Sequence, residues 1–241
     1  MLLVFSIALF VSNVGAVQTS ILTVADAYVA SAQPDVNAGT SIFLYSYNWD
    51  NGTNNIYLKF DLSEIPSEAN VNSIILRIHE SGIYTSTPAT IGVFLCDDNS
   101  WSESSITWNN APSPSSTTPL QTVQIDTSQY GFGYYGSDYD FALTSSLKGK
   151  SEVTLVLRTL ENSWSPATFD SKEGGSSPKL IVDYDMPSSL SLGLIVVTAV
   201  GVTALTVVVA LTFRYQRKKK DRKQQTSPMS MLDRLSASPF E

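Results

Sequence analysis

The chain has 241 residues, a net charge of −7, one cysteine and one histidine. Cys96 alone cannot form an internal disulfide, and with His79 as the sole imidazole there is no zinc-finger set and no two-histidine metal pair. The charge is divided: residues 17–187 carry 7 Lys+Arg against 19 Asp+Glu, a net −12, whereas 214–241 carry 8 against 3, a net +5. An acidic domain of this kind is excluded from nucleic-acid binding, which needs a basic surface, and suits cations, neutral glycans or basic partners.

Residues 1–16 read MLLVFSIALFVSNVGA. The apolar core is short for a membrane span and ends on small residues, so a cleaved secretory signal peptide is expected. No Lys or Arg precedes the apolar run; an uncleaved segment would make a second membrane anchor.

From Ser20 to Tyr184 the pattern is strand after strand. Ile56, Leu58, Phe60 and Leu62 alternate with Tyr57, Lys59 and Asp61, and Ile74, Leu76 and Ile78 alternate with Ile75, Arg77 and His79. Shorter runs lie at 91–95, 123–125, 153–157 and 180–184, with weaker ones at 27–30, 42–47 and 168–171. Turn-rich breaks separate them, such as Gln33-Pro34-Asp35 and Trp49-Asp50-Asn51-Gly52. About ten short strands with little helical periodicity predict an all-β fold, a jelly-roll-like antiparallel β-sandwich over 17–187. One short helix is expected at 142–147. Cys96 ends an apolar run and reads as core, with an intermolecular disulfide as the alternative. Asn51-Gly52-Thr53 is an N-glycosylation acceptor sequence lying in a turn.

Residues 190–213, LSLGLIVVTAVGVTALTVVVALTF, carry no charge. As a helix they reach about 36 Å at 1.5 Å per residue, enough for a hydrocarbon core of about 30 Å. Arg214, Arg217, Lys218, Lys219 and Lys220 follow. Such a cluster stays on the cytoplasmic side, so a single-pass transmembrane helix is expected, with 17–187 outside the cell. A tail anchor or a buried helix is the competing reading. The tail 214–241 has few apolar residues and is expected to be disordered, its basic start lying against anionic lipid headgroups.

Two segments carry a recognisable signature: Tyr57-Leu58-Lys59-Phe60-Asp61-Leu62-Ser63-Glu64-Ile65-Pro66, and Trp101-Ser102-Glu103-Ser104-Ser105-Ile106-Thr107-Trp108-Asn109-Asn110-Ala111-Pro112. With Ala25 to Val29 at the start and Phe169 to Tyr184 at the end, the chain resembles the DNRLRE-type domain, also classed as carbohydrate-binding module family 96. Lys59 stands where that family usually has Arg. The resemblance implies a jelly-roll-like sandwich on secreted or surface proteins, some attached to polysaccharide-degrading enzymes, and a glycan as partner.

Sugars offer flat C–H faces to aromatic rings and hydroxyls to polar side chains. Tyr45, Tyr47 and Trp49 alternate along one face of a strand and its turn; Tyr134 and Tyr135 lie in the Gly-rich stretch 131–136; Trp164 stands in a polar segment, 162–166, read as a loop. These are the candidate ligand aromatics. Lys59, Arg77 and Arg158 are the candidate cations for an acidic glycan, Lys59 and Arg77 being expected on one exposed surface. Packing in a long loop is the role expected of Trp101 and Trp108, within the motif that also holds Glu103 and Asn109. Oxygen ligands for a structural Ca²⁺ are plentiful, Asp26 and Asp183 among them. Catalytic machinery is not apparent: there is no G-x-S-x-G and no phosphate loop. The expected function is therefore a non-catalytic, membrane-anchored glycan-binding module at the cell surface. The alternatives are a structural or adhesion protein of the cell envelope and a component of a polysaccharide-degrading enzyme.

Overall fold

The computed structural model describes residues 16–81, 88–125, 136–187 and 208–219. The expected signal peptide and most of the expected span lie outside this set. Two compact units are distinguished, divided after Pro187.

The first unit is an antiparallel two-sheet β-sandwich. Eleven strands occur among the described residues: β1 (Val17–Leu22), β2 (Ala25–Ala30), β3 (Phe43–Trp49), β4 (Gly52–Asp61), β5 (Asn70–His79), β6 (Ala89–Cys96), β7 (Gln121–Ile125), β8 (Asp138–Ala142), β9 (Glu152–Thr159), β10 (Ser163–Asp170) and β11 (Lys179–Asp185). A four-stranded sheet has the order β1-β11-β5-β8; a seven-stranded sheet runs β10-β3-β4-β9-β6-β7, with β2 paired to β4. One turn of helix, α1 (Thr144–Leu147), follows β8.

Alternation explains the main core. Ile56, Leu58 and Phe60 of β4 face Ile74, Leu76 and Ile78 of β5, with Val153, Leu155 and Leu157 of β9 beside them. All are essentially water-free, and each such side chain contributes about 1.5–3 kcal/mol by leaving water.

A second core sits on the other face of the seven-stranded sheet. There Ala27, Val29, Tyr57, Phe94, Cys96 and Val156 pack against Trp101 and Ile106. These last two come from the long segment 97–120, which folds back over the sheet. The strands it covers are therefore apolar on both faces, which is why β9 reads as the run Val153-Thr154-Leu155-Val156-Leu157. Cys96 is a buried free thiol, and burial raises its pKa.

The covering segment is tied down at several points. The Trp101 indole donates to Thr154 Oγ1 at 2.9 Å. Asn37 Nδ2 donates to the carbonyls of Glu103 and Ile106, both at 2.7 Å. Asn109 Nδ2 donates to Asp35 Oδ1 at 2.7 Å, and the Tyr57 hydroxyl donates to the Pro112 carbonyl at 2.7 Å. The segment passes so close to Gly39 that a Cβ there would lie 2.1 Å from the Glu103 carbonyl oxygen. Gly39→Ala is therefore expected to lower stability by about 1–3 kcal/mol in denaturant unfolding, because backbone must move to admit the methyl group.

Three elements differ from the sequence expectations. β1 begins at Val17 rather than entering the pattern near residue 20; it is an edge strand, largely exposed, so it has no two-sided apolar signal. β8 has no counterpart among the expected strands, because it is short and polar on its outer face. Residues 163–170 form a strand where 162–166 was expected to be a loop. Pro166 is accommodated because β10 is an edge strand and its register with β3 shifts between Ser163 and Ala167.

In the second unit, 208–219 is helical. Thr212 Oγ1 donates back to the Val208 and Val209 carbonyls at 3.1 and 2.8 Å, the means by which a threonine satisfies its hydroxyl in an apolar helix. Among the described residues no helix is long and apolar enough to cross a membrane.

Candidate functional site

β3 is the strand with the most aromatic surface. Leu44 and Ser46 are buried, and Phe43, Tyr45, Tyr47 and Trp49 alternate with them on the opposite face. Tyr28 of β2 packs edge-on against Tyr45, ring centroids 5.2 Å apart, and the Phe43 ring centre lies 6.4 Å from that of Tyr45. The row ends at the β3–β4 turn, where Trp49 is 36 % exposed. Here Tyr47 donates to Asn51 Oδ1 at 3.0 Å, and Asn162 Nδ2 donates to Asp50 Oδ1 at 3.0 Å. The turn is thus braced, and the row presents several ring surfaces with amide and carboxylate groups at its end. Asn51, the glycosylation candidate, is exposed in this turn.

The other candidate aromatics are distributed differently. Tyr134 and Tyr135 lie outside the described residues. Trp164 has its backbone in β10; its side chain is outside the described set.

The expected shared surface for Lys59 and Arg77 does not form. Lys59 lies on the face of β4 that the 97–120 segment covers. Its ammonium donates to the carbonyls of Asn99 and Trp101 at 2.7 and 2.6 Å and sits 4.8 Å from the centre of the Trp101 ring. Its charge anchors the loop. Arg77 belongs to the other sheet, on its outer face, where its guanidinium donates twice to Asp140, each bond 2.7 Å. That pairing holds the Asp140 carboxyl below the usual carboxylate range. Sequence periodicity assigns a face within each strand; it cannot say which sheet the face belongs to or what passes over it.

The third cation is placed otherwise. Arg158 of β9 borders a cleft of about 210 Å³ beside Asn55, Tyr57 and Trp108. Trp108 is thus half-buried at a cleft edge, while Trp101, at 7 % exposure, is core. Burial pushes the Tyr57 phenol up to about 12, opposed by the nearby Arg158. Asn55 Oδ1 and Arg158 Nε are buried with no hydrogen-bond partner; a dry unmet polar atom costs about 1–3 kcal/mol.

The candidate Ca²⁺ ligands Asp26 and Asp183 lie in different sheets. Asp183 lies on β11 in the four-stranded sheet, accepting from Ser73 and Gln18 at 2.7 and 2.8 Å, bonds that lower its pKa. Asp26 lies on β2, only 1 % exposed. Its neighbours are Glu103 and Glu173, the three offering carboxylate oxygens within 4.8 Å of one another. Lys172 supplies the countercharge, bonding Glu103 at 3.1 Å and Glu173 directly. The Asp26 backbone N–H donates to Glu103 Oε1 at 2.9 Å, and Asp26 Oδ2 accepts from the Lys172 N–H at 2.7 Å. Burial pushes the Asp26 carboxyl up to about 7; the Lys172 N–H opposes this, and the charges of Glu173 and Glu103 add to it. Glu103, which the sequence places in a packing motif, thus joins an ionic cluster in which only Asp26 is buried. No sequence signal could find this group, because its members come from β2, the covering loop and the β10–β11 connection. A trio of carboxylates suits a hard divalent cation such as Ca²⁺, and Lys172 already balances part of its charge.

Two comparisons bear on this arrangement. A curated gellan lyase from Bacillus sp. is 30 % identical over 162 residues, covering 66 % of this chain but only 6 % of that protein. The chain therefore spans a small fraction of that relative's length. The model of carbohydrate-binding module family 96 matches residues 17–184, which is β1 to β11 and so the whole sandwich. With the match running from the first strand to the last, and the Trp101–Pro112 motif found folded over the sheet as its second core, the chain belongs to carbohydrate-binding module family 96.

Proposed function

We propose that this chain is a non-catalytic polysaccharide-binding module displayed outside the cell on a single membrane anchor. The observation that carries the binding role is the aromatic row of β3, which ends on the exposed Trp49. Core packing accounts for Leu44 and Ser46 on the other face; it does not require Trp49 in a turn.

The anchor is the uncharged stretch 190–213 followed by its basic cluster. β4 runs from the Trp49–Gly52 turn to the end of the sandwich where Leu62, Ala69 and Val71 border one cavity. β11 finishes at that same end, with Asp185 opposite Asn70. β11 thus ends at the end of the sandwich away from Trp49.

Gellan, the substrate in the relative's name, is the first polysaccharide to test. Titration calorimetry of the protein in detergent micelles against gellan and a panel of acidic and neutral polysaccharides should find one that saturates. Trp49→Ala and Tyr47→Ala are each expected to weaken that binding about ten-fold, the loss of one ring stacking worth about 1–1.5 kcal/mol. Stability should stay within about 0.5 kcal/mol for Trp49→Ala, an exposed position. Unaltered affinity in both variants would remove the row from the site. The lyase relative favours a second reading, a component of a polysaccharide-degrading enzyme; accumulation of unsaturated sugar ends, read by ultraviolet absorbance, would establish it.

A further inference from the structure

The cover over the seven-stranded sheet is incomplete at the Arg158 cleft. Val29, Asn55, Tyr57, Trp108, Ser113 and Arg158 border it, and Arg158 is the one charged residue among them. The other strongly engaged cations of the sandwich are met by protein oxygens: Lys59 by two carbonyls, Arg77 by Asp140, Lys172 by Glu103 and Glu173. Arg158 makes no ion pair among the described residues, and its Nε has no hydrogen-bond partner. Asn55, 5 % exposed, has an unmet Oδ1 at the same cleft.

The guanidinium lies beside an aromatic ring. Its Cζ lies 5.5 Å from the centre of the Phe94 ring. That ring uses space left by Gly92, which pairs with Arg158 across the β6–β9 ladder; a Cβ at residue 92 would meet Phe94 Cε2 at 3.0 Å.

We propose that this cleft is a second saccharide site, separate from the aromatic row, which takes one sugar-acid unit: its carboxylate accepts from Arg158 and a neighbouring hydroxyl donates to Asn55 Oδ1. The proposal rests on the glycan-binding reading above. The unmatched groups define the ligand class. A guanidinium without a carboxylate calls for an anion, and an unmet amide oxygen calls for a donor. A simple anion leaves Asn55 unmet; a neutral sugar leaves Arg158 without a countercharge. A hydroxy-carboxylate supplies both, and Trp108 and Tyr57 offer aromatic walls for its ring. The volume is below the roughly 300–1,000 Å³ of pockets that bury drug-sized ligands, which limits the site to about one ring. In this structure both polar atoms are shielded from bulk water, so each side chain turns toward the ligand as it enters.

Saturation-transfer NMR on the full chain in detergent micelles, with sodium glucuronate as probe and glucose as neutral control, tests this. Glucuronate is expected to bind and glucose not. Arg158→Gln should weaken glucuronate binding at least ten-fold and Asn55→Ala about five-fold. Arg158→Lys, which keeps the charge without Nε, should retain part of it, and Trp49→Ala should leave it unchanged. Undiminished binding in Arg158→Gln overturns the proposal. So does absent glucuronate binding alongside Trp49-dependent polysaccharide binding, which leaves the cleft a water site and the aromatic-row reading intact. Loss of both in the wild-type protein overturns the glycan-binding reading as well.

Discussion

Replacing Trp101 by alanine is expected to destabilise the sandwich by about 3–5 kcal/mol, read by denaturant unfolding. The indole fills the second core against Tyr57, edge to ring at 6.0 Å, and it is the surface over which the Lys59 ammonium lies. Truncation leaves a cavity and removes the donor to Thr154 Oγ1. It also strips Lys59 of its ring while the ammonium stays half-buried between two carbonyls. Trp101→Phe keeps much of the volume and should cost less than half as much. A loss below 1 kcal/mol for Trp101→Ala would show that the 97–120 segment contributes little to holding the sandwich together.

The second large effect concerns pH. Asp26 has its carboxyl raised to about 7 in the folded protein, against 3.8 for the free group. The sign follows from proton binding. Between these two values the folded chain holds a proton that the unfolded chain has released, so stability is fully present below about pH 4 and is lost as pH rises through 7. The whole displacement corresponds to at most about 4 kcal/mol. Asp26→Asn removes the charge and keeps an oxygen to accept from the Lys172 N–H. Unfolding free energies from pH 5 to 8 should therefore fall more steeply for the wild type than for Asp26→Asn, with the variant more stable at pH 8. The groups facing Asp26 are Glu103, Glu173 and Lys172. Asp61, Asp98, Asp140 and Asp183 have lowered values, and their contributions change below this window. His79 is common to both proteins and cancels in the difference. Parallel slopes would show that Asp26 is ionised in the fold throughout this range.

How much was legible in the sequence depended on the range of the interaction. β4 and β5 were plain, because a strand with one face in a core must alternate, and alternation is local. The family was plain as well, since the Trp101–Pro112 string is contiguous. Only the end of β10 is legible, as the run 168–171: the polar stretch 162–166 reads as a loop, and the edge position that admits Pro166 to a ladder is a tertiary fact. The aromatic alternation of Tyr45, Tyr47 and Trp49 was visible because all three lie on one strand and its turn.

By itself, then, the sequence determined what depends on neighbours in the chain: an antiparallel all-β sandwich, its main apolar rows, the acidic character of the domain and an uncharged stretch of membrane length. Tertiary structure alone decided what each charge does. Lys59 became a loop anchor, Arg77 half of an ion pair, Arg158 the cation at a cleft, and Asp26 a buried acid among Glu103, Glu173 and Lys172. A charge takes its role from whatever oxygen or ring lies within a few ångströms of it, and in a sandwich those neighbours come from strands and loops distant in sequence.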